Sequence, residues 1–232
     1  MSLKSRKFRG NSEVTSFDEF QYFTGVTSIG SECFKNCVNL HNISLPPRLS
    51  EVQDEAFLCA GIQYIKIPPI TTIGRSSFER CMNLKNVILP EGIRAIGNRC
   101  FFNSGLTSIN LPDSLTNIDG NAFSGCERLT GNLIIPDSII TIRNSSFKNC
   151  KLINSIIIPC SVTSIEDESF ANCTTTRYAI VKAILPPYCG KSIFWGSNFP
   201  IYVPDESLNA YKTATNWSNY ASRIKPVSEF VE

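Results

Sequence analysis

The sequence predicts a repeat solenoid: a right-handed superhelix with a parallel β-sheet on one face, short turns or helical turns on the other, and no long helices in the repeats. Three observations predict it. An aliphatic anchor recurs at Ile29, Val52, Ile73, Ile96, Ile118, Ile142 and Ile165. Five residues after each comes a phenylalanine: Phe34, Phe57, Phe78, Phe101, Phe123, Phe147 and Phe170. Each unit then closes on a Leu-x-x-Ile-x-Leu-Pro pattern, as in Leu40–Pro46 and Leu106–Pro112. The period of 21 to 24 residues is that of a chain stacking small units along one axis. One such unit is too small to bury its own phenylalanine, so its neighbours must supply the walls of the core.

Residues 1–25 precede the repeats. Met1 to Glu13 is polar and basic and reads as a flexible arm. Phe17, Phe20, Tyr22 and Phe23 then cluster, with Ser16 or Asp18 placed to cap a short helical turn. The first rung of a solenoid has an uncovered core, so this cluster is the expected N-terminal cap.

Seven units fill residues 26–186. Ile-x-Leu alternation in the closing pattern is a strand signal, and the proline ends the strand because it has no N–H for the ladder. The half carrying the phenylalanine holds small and polar residues, with Gly30, Gly74 and Gly97 beside the anchor, which suits a turn. Units 2 and 4 are one residue short, at Gly61 and Gly105, and unit 5 carries one extra near Gly131. Residues 187–232 read as a C-terminal cap. Ile180–Leu185 and Ile201–Pro204 are strand-like, Asp205 can open a helix with Leu208 and Tyr211 on one face, and Trp195, Phe199 and Trp217 supply apolar area.

The ten cysteines mostly obey the repeat. Cys37, Cys81, Cys126, Cys150 and Cys173 share a position with Ala60 and Ser104, and Cys33 and Cys100 share another with Ala56, Ser77, Ala122, Ser146 and Ser169. Both columns demand a small side chain, and a free cysteine serves as a small buried hydrophobe. Cys59, Cys160 and Cys189 fall outside them. No CxxC pair or histidine cluster marks a metal site, so none is expected.

Nothing marks a reaction either. The lone histidine, His41, sits on the first strand where an ordinary outward residue belongs. The carboxylate pairs Asp54–Glu55 and Asp167–Glu168 lie on the turn side and read as solvated charges. The glycines recur once per unit and do not form a phosphate loop. No catalytic residue and no cofactor is therefore expected. A net charge of +2 gives no bias toward nucleic acid, and no apolar run is long enough for membrane insertion. The basic start is not followed by an apolar stretch and so is not a secretory signal. The expected location is the cell surface or secreted if a signal was removed, and otherwise the cytoplasm.

The pattern Ile-Gly-x-x-Ala-Phe-x-x-Cys-x-x-Leu-x-x-Ile-x-Leu-Pro resembles the BspA-type leucine-rich repeat. Ser16–Phe23 and Ile201–Tyr211 with Tyr220–Ile224 resemble the opening and closing segments of such proteins in Bacteroides-like bacteria. The resemblance implies a leucine-rich-repeat superhelix and a surface protein that binds host matrix or other bacteria. It carries no catalytic residues. In a bacterial protein the Asn-x-Ser/Thr sequons at Asn42, Asn144, Asn172 and Asn216 read as chance.

Variation on the strand face is then where function is expected. The middle outward residue of each strand gives the row Ser44, Lys66, Ile88, Asn110, Ile134 and Ile157. The row before it is Asn42, Tyr64, Asn86, Ser108, Asn132 and Ser155. One row is rich in amides and hydroxyls, and the other holds three isoleucines, uncommon on a solvated face. These twelve residues are the candidate ligand site, for a protein or a glycan. Two alternatives stand beside it: isoleucine chosen only for its strand propensity, and a cap folding over this face. At the level of the whole protein the alternatives are a structural spacer and an intracellular scaffold with no ligand of its own.

Overall fold

The computed structural model describes residues 1–69 and 72–231. Its chain coils into stacked rungs whose three walls are each hydrogen-bonded to the next rung. The first wall holds the aliphatic anchors. Ser2–Leu3, Ser28–Ile29, Glu51–Val52, Thr72–Ile73, Ala95–Ile96 and Asn117–Ile118 pair in parallel, and Thr141–Ile142, Ser164–Ile165 and Tyr188–Cys189 continue the column. The second wall is the expected strand face. There Ser16–Phe17 pairs with Asn42–Ile43, Tyr64–Lys66 with Asn86–Ile88, and Gly131–Ile134, Ile153–Ile158, Tyr178–Val181, Ile201–Val203 and Ile224–Pro226 follow in order, all in parallel. Backbone bonds bridge the breaks, with Gln63 N–H donating to the His41 carbonyl at 3.1 Å and Thr130 N–H to the Thr107 carbonyl at 3.0 Å.

The third wall carries the phenylalanines and is neither a strand nor a helical turn. Alternate N–H groups cross to the next rung: Glu32 to Asp54, Phe34 to Ala56 and Asn36 to Leu58. The intervening groups, Cys33, Lys35 and Cys37, bond back three residues within their own rung. This alternation needs a left-handed residue two before and two after each phenylalanine. Around Phe101 these are Arg99 (φ 57°) and Asn103 (φ 53°); around Phe123 they are Asn121 (φ 58°) and Gly125 (φ 76°). Glycine enters that conformation without steric cost and asparagine more readily than most residues. Glutamate, arginine and serine hold it here because the cross-rung bonds are lost otherwise.

The phenylalanine rings form one column. Phe8, Phe34, Phe57, Phe78, Phe101, Phe123, Phe147, Phe170 and Phe194 stack with centroids 5.1 to 5.8 Å apart. The column has nine members where the repeat pattern predicts seven, and the expected domain limits shift accordingly. The flexible arm is corrected to a full rung. Leu3 pairs with Ile29, Phe8 stacks on Phe34, Arg6 (φ 60°) and Gly10 (φ 70°) flank Phe8 as in every other unit, and Phe17 pairs with Ile43. The cap cluster is the closing part of this rung, with Asp18–Tyr22 as a 3₁₀ turn whose first N–H groups take no side-chain cap. At the other end, Cys189 takes the anchor position beside Ile165 and Phe194 stacks on Phe170, so the proposed cap begins with one more rung. The actual cover is the α-helix Leu208–Thr213 with Trp217 and Tyr220. Trp217 Nε1 donates to the Pro187 carbonyl at 2.8 Å, and the Tyr211 hydroxyl donates to the Ala183 carbonyl at 2.7 Å, so both large side chains are buried with their polar atoms satisfied. Asp205 does not cap that helix. It begins a 3₁₀ turn, Asp205–Ser207, and accepts instead from the Ser228 N–H at 3.0 Å.

All ten cysteines are free, and eight are buried. Where the small column holds cysteine, its Sγ donates to the carbonyl of the preceding rung's phenylalanine: Cys81 to Phe57 at 3.0 Å, Cys126 to Phe101 at 3.1 Å, Cys150 to Phe123 at 3.2 Å. Burial pushes the Cys126 thiol up to about 12 and the Cys33 thiol up to about 11, leaving both unreactive near neutral pH. Cys160 is exposed and Cys59 half-buried.

Charges on the phenylalanine wall link successive rungs. Glu32 joins Arg6 and Arg9 (2.7 and 2.8 Å), Lys148 meets Glu168 at 2.7 Å, and Lys35 meets Glu55. Glu79 is 8% exposed. Burial pushes its carboxyl up, but the fork of Arg99, with bonds of 3.0 and 2.7 Å, and a bond from Ser76 outweigh it and hold the group below its ordinary range. Asp54 and Asp167 are not merely solvated: each accepts a backbone N–H of the next rung, from Arg75 and Lys191, at 2.7 Å.

Candidate functional site

Parallel pairing puts the strand-face residues into the two rows read from the sequence. Tyr64 lies opposite Asn86 and Lys66 opposite Ile88; Asn132 lies opposite Ser155 and Ile134 opposite Ile157; an isolated bridge joins Asn86 to Ser108. Alternation along each strand sends Ile65, Val87, Leu133 and Ile156 into the core and their neighbours out. Tyr64, Ile88 and Ile134 are 48%, 43% and 62% exposed. Asn42, Lys66, Asn86, Ser108, Asn110 and Asn132 are also exposed, whereas Ser44 and Ile157 are half-buried.

Ser155 departs from the expectation. It holds its place in the row but is 1% exposed, and its hydroxyl has no hydrogen-bond partner among the described residues. The row continues into Tyr178, paired with Ser155, while the neighbouring row continues into Ile180 and Tyr202. The C-terminal segment folds over these last rungs. Phe230 meets Tyr178 edge-on at 4.6 Å and Tyr202 at 5.0 Å between ring centroids. The tail is pinned at Ser228 by Asp205, and those bonds hold the Asp205 carboxyl below its ordinary range. The C-terminal segment thus packs on Tyr178 and Tyr202, which extend the two rows beyond the twelve candidate residues.

At the N-terminal end the same face is open. Asp18 and Gln21, from the 3₁₀ turn of the first rung, join Asn42, Ser44, Tyr64 and Lys66 around a recess of about 490 Å³ that Pro47 and Pro68 also line. Asp18 is positioned by hydroxyl donors, Ser16 Oγ at 2.8 Å and Ser44 Oγ at 3.2 Å. Further along, Asn86 Nδ2 reaches Ser108 Oγ at 3.4 Å. The recess offers one aromatic face, one cation, one carboxylate and several amide and hydroxyl groups. Such a set suits hydrogen-bonded recognition with an apolar contact. Asp18 and Gln21 were missed because residues before the first recognised repeat had no register to place them.

Among the described residues no group of three or more His, Cys, Asp and Glu side chains converges, and no helix is long and apolar enough to cross a membrane. His41 is half-buried on the strand face, its N–H donating to the Thr15 carbonyl at 2.9 Å.

One solved structure shares this fold with a TM-score above 0.5. A leucine-rich repeat protein from Bacteroides ovatus is 25% identical with a TM-score of 0.68, over 88% of this chain and 58% of that one. The chain therefore spans less than two thirds of that relative's length. A leucine rich cell surface protein from Faecalibacterium prausnitzii is 23% identical over 89% of this chain and 73% of that one, with a TM-score of 0.49. A Treponema pallidum leucine rich repeat protein is 20% identical over 76% and 71%, also with a TM-score of 0.49. No curated protein matches. The BspA type leucine rich repeat region matches in six copies, over residues 3–130 and 129–199, so it includes the first and last rungs that the seven-unit reading left out. With that match over most of its length, the chain belongs to the BspA-type leucine-rich repeat family, whose repeats generally serve as protein-binding modules.

Proposed function

We propose that the chain is a non-enzymatic binding module that adheres, at a bacterial cell surface, to a host protein or matrix component through the open part of its strand face. The observation that carries this reading is the pair of in-register rows in which Tyr64, Ile88 and Ile134 stay exposed between amide and hydroxyl side chains. Exposed apolar anchors ringed by polar groups are the usual make-up of a protein-binding patch. The binding role is supported by the family, whose repeats generally serve as protein-binding modules. The test is retention on immobilised extracellular-matrix proteins, comparing the wild-type chain with Y64E/I88E/I134E. Retention is expected to fall at least about tenfold, since each exposed anchor is replaced by a charge. Unchanged retention of the triple variant sinks the groove assignment.

A glycan ligand is the second reading. It is favoured by the recess at Asp18, Asn42, Ser44 and Tyr64, where an aromatic side chain shares the lining with amide, hydroxyl and carboxylate groups. Binding to a glycan array that is lost in Y64A and in D18N supports it over the first.

A further inference from the structure

The one-residue deletions in units 2 and 4 shape a second groove, away from the strand rows. At Gly61 and Gly105 the link between the small column and the strand takes a short path against the rung below. A Cβ on Gly61 would stand 2.0 Å from the Val38 carbonyl oxygen, and one on Gly105 would stand 2.1 Å from that of Met82. The link of unit 3 is full length and stands out between them, with Met82 61% exposed. Together they bound a groove of about 830 Å³ that runs from Val38 in unit 1 to Arg128 in unit 5. None of the twelve strand-face residues lines it.

We propose that this flank groove binds an extended acidic peptide segment that alternates carboxylate and aliphatic side chains. Length is the first argument. Parallel rungs stack about 4.8 Å apart, so five of them span about 19 Å, the length of about six extended residues. Charge is the second. Arg80 and Arg128 both line the groove, and among the described residues neither forms a salt bridge. The nearby carboxylates already have cations: Glu79 is held by Arg99 at 2.7 Å and Glu127 by Lys151 at 2.8 Å. A smaller cavity next to the groove, about 190 Å³, brings Lys85 beside Arg128. The third argument is the apolar lining beside the cations. Val38 is 53% exposed, and Met82 has a flexible thioether that adapts to varied aliphatic partners. A sulfated polysaccharide would need an unbroken cationic strip, and here Met82 and Glu127 interrupt it.

The test is fluorescence anisotropy with a fluorescein-labelled acetyl-(Asp-Leu)₃-amide peptide, using the matching (Asn-Leu)₃ peptide and a heparin hexasaccharide as comparison ligands. Saturable binding of the acidic peptide is expected, weakening with salt and falling at least about tenfold in R80E/R128E. The strand-face variant Y64E/I88E/I134E should bind it unchanged, which separates this site from the proposed adhesion face. R80Q/R128Q provides the readout if the charge-reversed variant melts early by circular dichroism. Absence of saturable binding, equal affinity in the arginine variants, or binding of the hexasaccharide without the acidic peptide overturns the proposal.

Discussion

Asn42 and Ser155 stand in the same row of the same wall, yet one is exposed and the other is 1% exposed. At Asn42 the chain that closes the first rung turns aside and leaves a recess with Asp18 and Gln21 on its rim. Near Ser155 the last residues of the chain come back, and Phe230 closes on Tyr178 and Tyr202. The tail packs on the rung next to Ser155, so a binding face in a solenoid is best sought where no terminal segment lies on it.

Both ends share the phenylalanine column, and the largest expected effect is to break it. Phe123→Ala should cost about 3–5 kcal/mol in denaturant titration, because a fully buried ring sandwiched between Phe101 and Phe147 leaves a void that the rungs cannot close. Phe8→Ala, at the half-buried end of the column, should cost less than half of that. Equal costs would mean that the ends are packed as tightly as the middle.

Next in size is the short link at the open end. Gly61→Ala forces a Cβ to within 2.0 Å of the Val38 carbonyl and should cost about 1–3 kcal/mol through local displacement. Gly25→Ala, where a Cβ meets nothing within 4 Å, should be close to neutral in the same melt.

Removal of residues 227–232 tests the covered end directly. Stability should fall by about 1–2 kcal/mol as Tyr178 and Tyr202 become exposed. Amide hydrogen exchange should quicken at Tyr178–Val181 and not at Tyr64–Lys66. Unchanged exchange at Tyr178–Val181 would mean that the tail does not shield the face.

The smallest effect concerns the charge ladder between rungs. The carboxyl of Glu79 is depressed in the folded chain, so its contribution is present above the ordinary carboxylate range and is lost as pH falls through the folded value. Arg99 stays 37% exposed at the side chain, which screens the pair, and the contribution is expected at about 1 kcal/mol. Arg99→Met should flatten that part of the acid limb of the stability curve measured by denaturant titration. An unaltered limb assigns the acid sensitivity to other carboxylates.

Much of the fold was legible because the repeat compares each position with its equivalents. Seven phenylalanines at one spacing identify a column, and Cys126 is recognised as a small-residue member only beside Ala60 and Ser104. The first and last rungs were legible too, since Leu3–Phe8 and Cys189–Phe194 keep the five-residue spacing. They were missed because Leu and Cys replace the usual Ile or Val and no Leu-Pro closure follows. The left-handed pairs around each phenylalanine were not readable at all. Glutamate, arginine, serine and asparagine share those positions, and what they have in common is a backbone conformation with no side-chain signature. The strand rows were legible by alternation, whereas the burial of Ser155 and the recess at Asp18 have no counterpart in the repeat pattern.

The sequence by itself determined the period, the core columns, the register of the strand face and the family, because each follows from local spacing repeated along one axis. Only the tertiary structure decided which stretch of that face stays open, and that two shortened links open a groove on the flank. Those features arise where a rung meets something other than its own copy, and a periodic pattern holds no information about such contacts.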